Sequence, residues 1–240
     1  MKKTAALTAL LIIGSASLVS AAGLNLGLND CAPAGGSINA PASCAGSSGI
    51  TIGMVGSAIA PAGMDRVVGC EDYIDVETNQ ATLSPWWTLD GCRSNAWPVN
   101  FDFTLGPFTC NDFWAGLATG SGSISPEHSA PNRFQMKLVC ATVAENPMDT
   151  VTEQYLFKVN ILRSRSVGIG NCTGCGQAAC LVLTRVIINQ PDGAVGGNAT
   201  ITAPMIGNFV TYAGGVVAGG CPGATPAQDR TWGQVKSLYR

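Results

Sequence analysis

The stretches RFQMKLVCATV (133–143) and QYLFKVNILR (154–163) show most clearly which fold this chain adopts. In each of them an apolar side chain recurs at every second position: Phe134, Met136, Leu138 and Cys140 in the first, and Tyr155, Phe157, Val159 and Ile161 in the second. Successive side chains of a β-strand point to opposite faces of the sheet. A period of two therefore predicts strands with one face in a core and the other toward solvent.

Short apolar runs separated by turn signals continue on both sides of these stretches. Further strands are predicted at Leu24–Leu28, Ile50–Ala58, Tyr73–Thr78, Trp97–Leu105, Leu181–Asn189, Asn198–Ala203 and Asn208–Tyr212. The segments 33–43, 118–132 and 189–198 are rich in Gly, Pro, Ser and Asn and predict turns and surface loops. The pattern indicates an all-β fold, a disulfide-stapled antiparallel β-sandwich of jelly-roll or Ig-like type, as one domain over residues 22–220.

The N-terminus has the pattern of a secretory signal. Met1-Lys2-Lys3 is a charged n-region, residues 4–19 are mostly apolar or small, and Val19-Ser20-Ala21 fits the small-x-small cleavage rule. We expect residues 1–21 to be removed, and Cys31 lies too far beyond that point for a lipoprotein. No later run approaches the roughly 20 apolar residues of a membrane span. The mature protein is therefore expected in the periplasm, at the cell surface or outside the cell, without membrane insertion.

The net charge of the mature chain indicates which binding partners are not expected. Removing Lys2 and Lys3 from the 13 basic side chains leaves 11 against 15 acidic ones, a net charge of about −4. Because no run of like charges occurs, nucleic acid and anionic membranes are not expected as partners.

Ten cysteines remain in the mature chain: Cys31, Cys44, Cys70, Cys92, Cys110, Cys140, Cys172, Cys175, Cys180 and Cys221. An even number in an exported protein indicates a disulfide framework. The loop lengths suggest local bridges that join Cys31 to Cys44 and Cys92 to Cys110. Cys70 and Cys140 each lie inside a strand-like run and are expected to join two strands. The last four cysteines would then share two bridges.

The stretch NCTGCGQAAC (171–180) has alternative interpretations. Cys172-x-x-Cys175 resembles half a zinc site or a thioredoxin-type redox pair, but such a redox pair begins a helix, whereas LVLTRVII (181–188) predicts a strand. Structural disulfides are the favoured interpretation, and no metal or cofactor is expected.

Catalytic signals are weak. The single histidine, His128, lies in a predicted loop, and no nucleophile elbow or phosphate-binding loop occurs. The close carboxylates are Asp72 with Asp75 and Asp75 with Glu77, which are ordinary strand neighbours, and a calcium site using Asp90 or Asp192 lacks EF-hand spacing. We therefore expect the protein not to be an enzyme.

SPWWTLDGCR (84–93) is the candidate ligand contact. Adjacent tryptophans on a strand face opposite ways, so one of Trp86 and Trp87 could be exposed beside Asp90 and Arg93 and stack on a sugar ring or a protein partner. The alternative, which we favour, places one indole in the core and the other partly under the loop.

RTWGQVKSLYR (230–240) predicts a short helix after a Pro/Gly-rich spacer, so that residues 221–240 form a tail. Thr231 with Gln234 is a capping-box pattern, and one helical face carries Trp232, Val235, Leu238 and Tyr239. Helical spacing disfavours the alternating last strand of a pilus subunit. A helix this short needs a surface, so we expect these four side chains to contact an export, anchoring or assembly partner.

The ending TPAQDRTWGQVKSLYR, with LNLGLNDC (24–31) and PWWTLDGCR (85–93), resembles a group of uncharacterised exported proteins predicted from uncultured Gram-negative bacteria. In that group a signal peptide precedes a cysteine-bearing β domain and a T-W-G-x-x-K-x-L-Y-R terminus. The resemblance implies export and the same domain boundary, and it brings no activity.

The sequence thus predicts an exported, non-catalytic structural or interaction protein. The alternative is a domain that binds or processes carbohydrate through the region from Trp86 to Arg93.

Overall fold

The structure, a computed structural model, describes residues 22–31, 38–89, 91–103, 106, 108–124, 130–216 and 221. The signal sequence, Asp90, His128 and the predicted C-terminal helix lie outside these residues. The described chain is all-β, as predicted, with strands β1 (Gly23–Leu28), β2 (Asn39–Ala40), β3 (Ile50–Ile59), β4 (Val67–Thr78), β5 (Val99–Asn100), β6 (Thr119–Ile124), β7 (Arg133–Asn146), β8 (Gln154–Leu162), β9 (Ala179–Asn189), β10 (Ala199–Ile201) and β11 (Phe209–Tyr212).

The strands form two sheets. The smaller sheet has the order β1-β3-β8-β5, and the larger has the order β2-β11-β9-β4-β7-β6 with β10 paired to β9. Among the described strands β2 and β11 pair in parallel, and the other pairs are antiparallel. Side chains of both sheets enter one hydrophobic core, which makes the arrangement β-sandwich-like.

Strand β7 shows why the period of two predicts the fold. Phe134, Met136, Leu138 and Cys140 are buried, while the residues between them are partly or fully exposed. Strand β8 departs from this pattern because it is covered a second time, by the connection between β5 and β6. From that connection Phe108 stacks on Tyr155 at 5.1 Å between ring centroids, and the Trp114 indole donates to the Leu156 carbonyl at 2.9 Å.

Two parts of the strand prediction are wrong. The run Trp97–Leu105 is a strand only at Val99–Asn100 among its described residues, and the predicted loops 33–43 and 118–132 contain strands β2 and β6. The glycines of β6 read as loop signals, but they allow close packing. A Cβ on Gly120 would lie 2.2 Å from the Val139 carbonyl oxygen and 2.6 Å from the Phe101 ring.

Among the described residues no helix has the length and apolar character needed to cross a membrane.

Candidate functional site

The tryptophans of the predicted ligand contact are both buried. Trp86 and Trp87 are 0% exposed and lie in edge-to-face contact, with ring centroids 4.9 Å apart. Each indole N–H is satisfied inside the protein, by the Ser166 hydroxyl for Trp86 and the Gln177 carbonyl for Trp87. The expectation that one indole is exposed or only half covered is wrong, because a compact turn lets both adjacent rings enter the core. Neither ring offers a face to a sugar.

Arg93, the polar anchor of that interpretation, is buried as well. Its guanidinium lies 3.6 Å from the centroid of the Trp86 ring and donates to the backbone carbonyls of Trp86, Leu162 and Ser164. Burial lowers the pKa of Arg93 to about 10. Because its donors are used on the backbone, Arg93 holds the turn against the end of β8. Asp90 lies outside the described residues.

The disulfides differ from the predicted pairs. The four bridges join Cys31 to Cys110, Cys44 to Cys175, Cys92 to Cys172, and Cys180 to Cys221. The predicted local bridges Cys31–Cys44 and Cys92–Cys110 are therefore wrong, because folding brings distant segments closer together than sequence neighbours. Of the last four cysteines, which were predicted to share two bridges, only Cys180 and Cys221 pair with each other. Cys172 and Cys175 belong to two different bridges, so neither serves a zinc site or a redox pair. Cys70 and Cys140, which were predicted to join two strands, are not bonded in the structure and lie as buried thiols that face each other.

The carboxylates are held by internal contacts. Asp72 is fully buried, and Asp75 accepts hydrogen bonds from Arg133 and from the Gln135 amide. In the part of the chain that the structure describes, no three His, Cys, Asp or Glu side chains come together as metal ligands.

The outer face of the larger sheet carries a row of paired charges. Lys137, Tyr73 and Arg185 stand in register on β7, β4 and β9, with the Arg185 guanidinium 3.9 Å from the centroid of the Tyr73 ring. Glu71 accepts from the Tyr73 hydroxyl at 2.8 Å and pairs with Lys137 at 2.7 Å. The Lys137 hydrogen bond lowers the pKa of Glu71. Most of these groups satisfy one another. The Arg185 Nε is the exception, since it is buried without a hydrogen-bond partner among the described residues.

A polar cleft of about 550 Å³ lies at the end of β4. Its lining is amide, hydroxyl and small residues: Asn79, Gln80, Thr82, Ser84, Gly174, Gly176, Gln177, Ala178 and Ala213. The Gln177 amide donates to the Thr78 hydroxyl and the Thr82 carbonyl and accepts from the Ser84 N–H. This amide therefore shapes the cleft wall more than it offers hydrogen bonds to a ligand.

The second cavity lies where the edges of the two sheets meet. It has a volume of about 230 Å³ and is lined by Leu89, Ser94, Asn95, Ala96, Trp97, Val99, Gly122, Ser123 and Met136. Strands β5 and β6 approach each other here, since a Cβ on Gly122 would lie 2.7 Å from a Val99 methyl group. The Trp97 indole N–H is buried and has no hydrogen-bond partner. The cavity thus combines apolar side chains with the polar Ser94, Asn95 and Ser123, and an unused donor lies nearby.

Strand β6, beside this cavity, is the outermost strand of the larger sheet in the described chain. It pairs with β7 on one side over all six residues, and residues 119–123 are exposed. Every edge strand presents backbone N–H and C=O groups on its open side. Together, β6 and the cavity form the candidate site, which we call the β6 edge site.

Sequence reasoning missed the β6 edge site because its strand was read as a loop. The alternation in TGSGSI, with Gly120 and Gly122 on the inner face, is a weak signal that would have identified it.

Comparisons with known proteins identify no family. No protein-family model and no curated protein matches the chain. Among solved structures, the chain is similar to a cohesin module from a Clostridium perfringens family 33 glycoside hydrolase. The identity is 13%, the match covers 79% of this chain and 96% of that chain, and the TM-score is 0.34. At this TM-score the likeness says nothing about what the chain binds or does.

Proposed function

We propose that this protein is a non-catalytic, exported interaction module that binds an extended polypeptide segment of another protein at the β6 edge site. The observation that carries the proposal is the edge of β6, which no described strand pairs, beside a cavity between the sheets.

The disulfides support export, because they need an oxidising compartment. Four disulfides form and persist in oxidising surroundings, such as the periplasm or the extracellular space. The secretory pattern of residues 1–21 and the resemblance to exported proteins agree with this location.

The binding mode follows from strand geometry. A segment laid along β6 would form backbone hydrogen bonds with its open edge, and these give affinity without selecting a sequence. Alternate side chains of the added strand would point toward the cavity, whose volume of about 230 Å³ suits one large apolar or aromatic side chain. The cavity would therefore select the segment.

The proposal is tested by selecting ligands from a phage-displayed library of random peptides. We expect enriched peptides to alternate in polarity and to carry one large apolar residue. Binding should slow hydrogen exchange at the amides of residues 119–123. Ser94→Arg, an exposed substitution at the cavity lining, should weaken binding at least tenfold.

The matched control is Thr200→Arg on β10, an exposed position on a strand paired to β9 instead. It should leave binding unchanged. Failure to enrich any peptide, or protection on strands other than β6, would contradict the proposal.

A glycan-binding function is the second candidate, favoured by the polar cleft beside Gln177. No aromatic ring of the described chain lines this cleft, and sugar rings in protein sites usually stack on such rings. Screening the protein on a glycan array separates the candidates, since binding that is lost in Gln80→Ala and kept in Ser94→Arg would favour the glycan.

The C-terminal tail, residues 221–240, has a separate proposed function. We expect residues 230–240 to act as a handle for an export, anchoring or assembly partner through Trp232, Val235, Leu238 and Tyr239. Deleting residues 229–240 should change the location of the protein and leave its melting temperature unaltered. A deletion that is exported and placed as before would contradict the handle.

A further inference from the structure

Cys70 and Cys140 face each other inside the core. They are directly opposite in the register of β4 and β7, and they are 1% and 2% exposed. Their sulfur atoms are 2.6 Å apart. Non-bonded heavy atoms sit most favourably at about 3.5 to 4.0 Å, whereas a disulfide bond is about 2.05 Å long. The pair is therefore already closer than two independent thiols would be.

Asp72 lies beside this pair on the same face of β4. The Cys70 thiol donates to its Oδ2 at 3.2 Å, and its Oδ1 is buried without a hydrogen-bond partner. In register with Asp72 are Leu138 on β7 and Val186 on β9, neither of which carries a charge. The ionised form of a carboxyl group is costly in such apolar surroundings. The cost falls when the group holds a proton or accepts a hydrogen bond.

We infer that Cys70 and Cys140 are a modification site, closed in the exported protein to a fifth, cross-strand disulfide, and that Asp72 accepts the Cys70 proton as the bridge forms. The inference is independent of the β6 edge site and needs only an oxidising compartment.

The reaction is thiol–disulfide exchange with an external disulfide, carried by a small molecule or by an oxidoreductase. The Cys70 proton passes to Asp72, and the thiolate attacks one sulfur of the external disulfide. That S–S bond breaks, a mixed disulfide forms, and one external thiolate leaves and takes up the Cys140 proton. The Cys140 thiolate then attacks the Cys70 sulfur and expels the second external thiolate, which takes the proton from Asp72. Two protein thiols are oxidised, and one external disulfide is reduced to two thiols.

Burial determines when this exchange takes place. In the folded protein an external disulfide cannot reach sulfur atoms that are 1% and 2% exposed, so the bridge must close before the second sheet covers β4 and β7. Burial also raises the pKa of the Cys70 thiol, which keeps any unclosed thiol protonated and slow to react. A thiol assay on the native protein would therefore miss the pair.

The test uses protein purified from an oxidising compartment and unfolded in guanidinium chloride with iodoacetamide and without reductant. We expect no alkylated cysteine, and we expect peptide mapping to recover a Cys70–Cys140 linked peptide. Alkylation of both Cys70 and Cys140 in most molecules would overturn the fifth bridge. As a check on the assay, Cys70→Ala should yield one alkylated cysteine, Cys140, in the unfolded protein.

The role of Asp72 is tested by oxidative refolding of the reduced protein with glutathione disulfide. Asp72→Asn should slow closure of the Cys70–Cys140 bridge at least threefold and leave the other four closure rates unchanged. A purely structural role would slow all five bridges. Glu71→Gln, the matched change on the opposite face of β4, should leave every rate unchanged. Equal rates for Asp72→Asn and the wild type would overturn the role of Asp72.

Discussion

At the scale of single residues, Arg93 is a buried charged side chain whose hydrogen bonds go to backbone carbonyl groups. Replacing it with alanine leaves the carbonyls of Trp86, Leu162 and Ser164 without their donor. Each buried carbonyl left unpaired costs about 1–3 kcal/mol, so Arg93→Ala should lower the free energy of unfolding by about 3 kcal/mol or more. Urea unfolding with the disulfides intact measures this. Arg66→Ala, which breaks an exposed pair with Glu145, is the control and should leave the free energy of unfolding nearly unchanged.

Asp72 should make stability depend on pH. Burial raises its pKa from 3.8 to about 7, so the folded protein binds this proton more tightly than the unfolded chain. The resulting stabilisation is complete below the unfolded pKa and is lost as pH rises through about 7. The stability of the wild type relative to Asp72→Asn should therefore fall between these two values, by up to about 1.4 kcal/mol per pH unit.

Chemical unfolding at a series of pH values checks this dependence. Glu145 gives the opposite sign, because the Arg66 hydrogen bond lowers its pKa, and its contribution is lost as pH falls. A constant difference between wild type and Asp72→Asn across the range would contradict the prediction.

At the scale of elements, strand β6 depends on its glycines. A Cβ on Gly120 meets the Val139 carbonyl at 2.2 Å, which is backbone and cannot move aside, whereas one on Gly122 meets the side-chain ends of Val99 and Leu138 at 2.7 and 2.9 Å. Gly120→Ala should therefore cost about 1–3 kcal/mol, more than Gly122→Ala. Urea unfolding should show this order, with the exposed Ser121→Ala near neutral. Equal costs for the two glycine variants would contradict the packing argument.

The same strand shows how far sequence can predict this fold. Strands β7 and β9 are evident because their apolar side chains form a pattern that depends on local geometry alone. Strand β6 had only a weak signal in the sequence, the alternation of TGSGSI. Its glycines are fixed by contacts with Phe101 and Val139, which are close in space and not in sequence. The β6 edge site was not predicted for the same reason. Burial of both Trp86 and Trp87 likewise depends on a turn whose shape is held by Arg93.

At the scale of the whole molecule, the disulfides join distant segments. The Cys44–Cys175 bridge spans 131 residues and the Cys180–Cys221 bridge spans 41. Loop-closure entropy grows by about 0.6 kcal/mol for each doubling of the loop. Removing the first bridge with paired alanines should therefore cost about 1 kcal/mol more than removing the second. Thermal unfolding of the two double variants tests this, and the reverse order would show that native packing outweighs chain entropy.

The crossed pattern of disulfide bridges also affects what happens when a protease cuts the backbone. Any single cut of the backbone between residues 111 and 171 separates two fragments that stay joined through Cys44–Cys175 and Cys92–Cys172. The turn before β8, where Val151 is 71% exposed, is a natural place for such a cut. Clipped protein should run as one band on a non-reducing gel and as two bands after reduction. A clipped molecule would thus remain in one piece. This would matter for a protein that works outside the cell, where a damaged copy is not replaced on the spot.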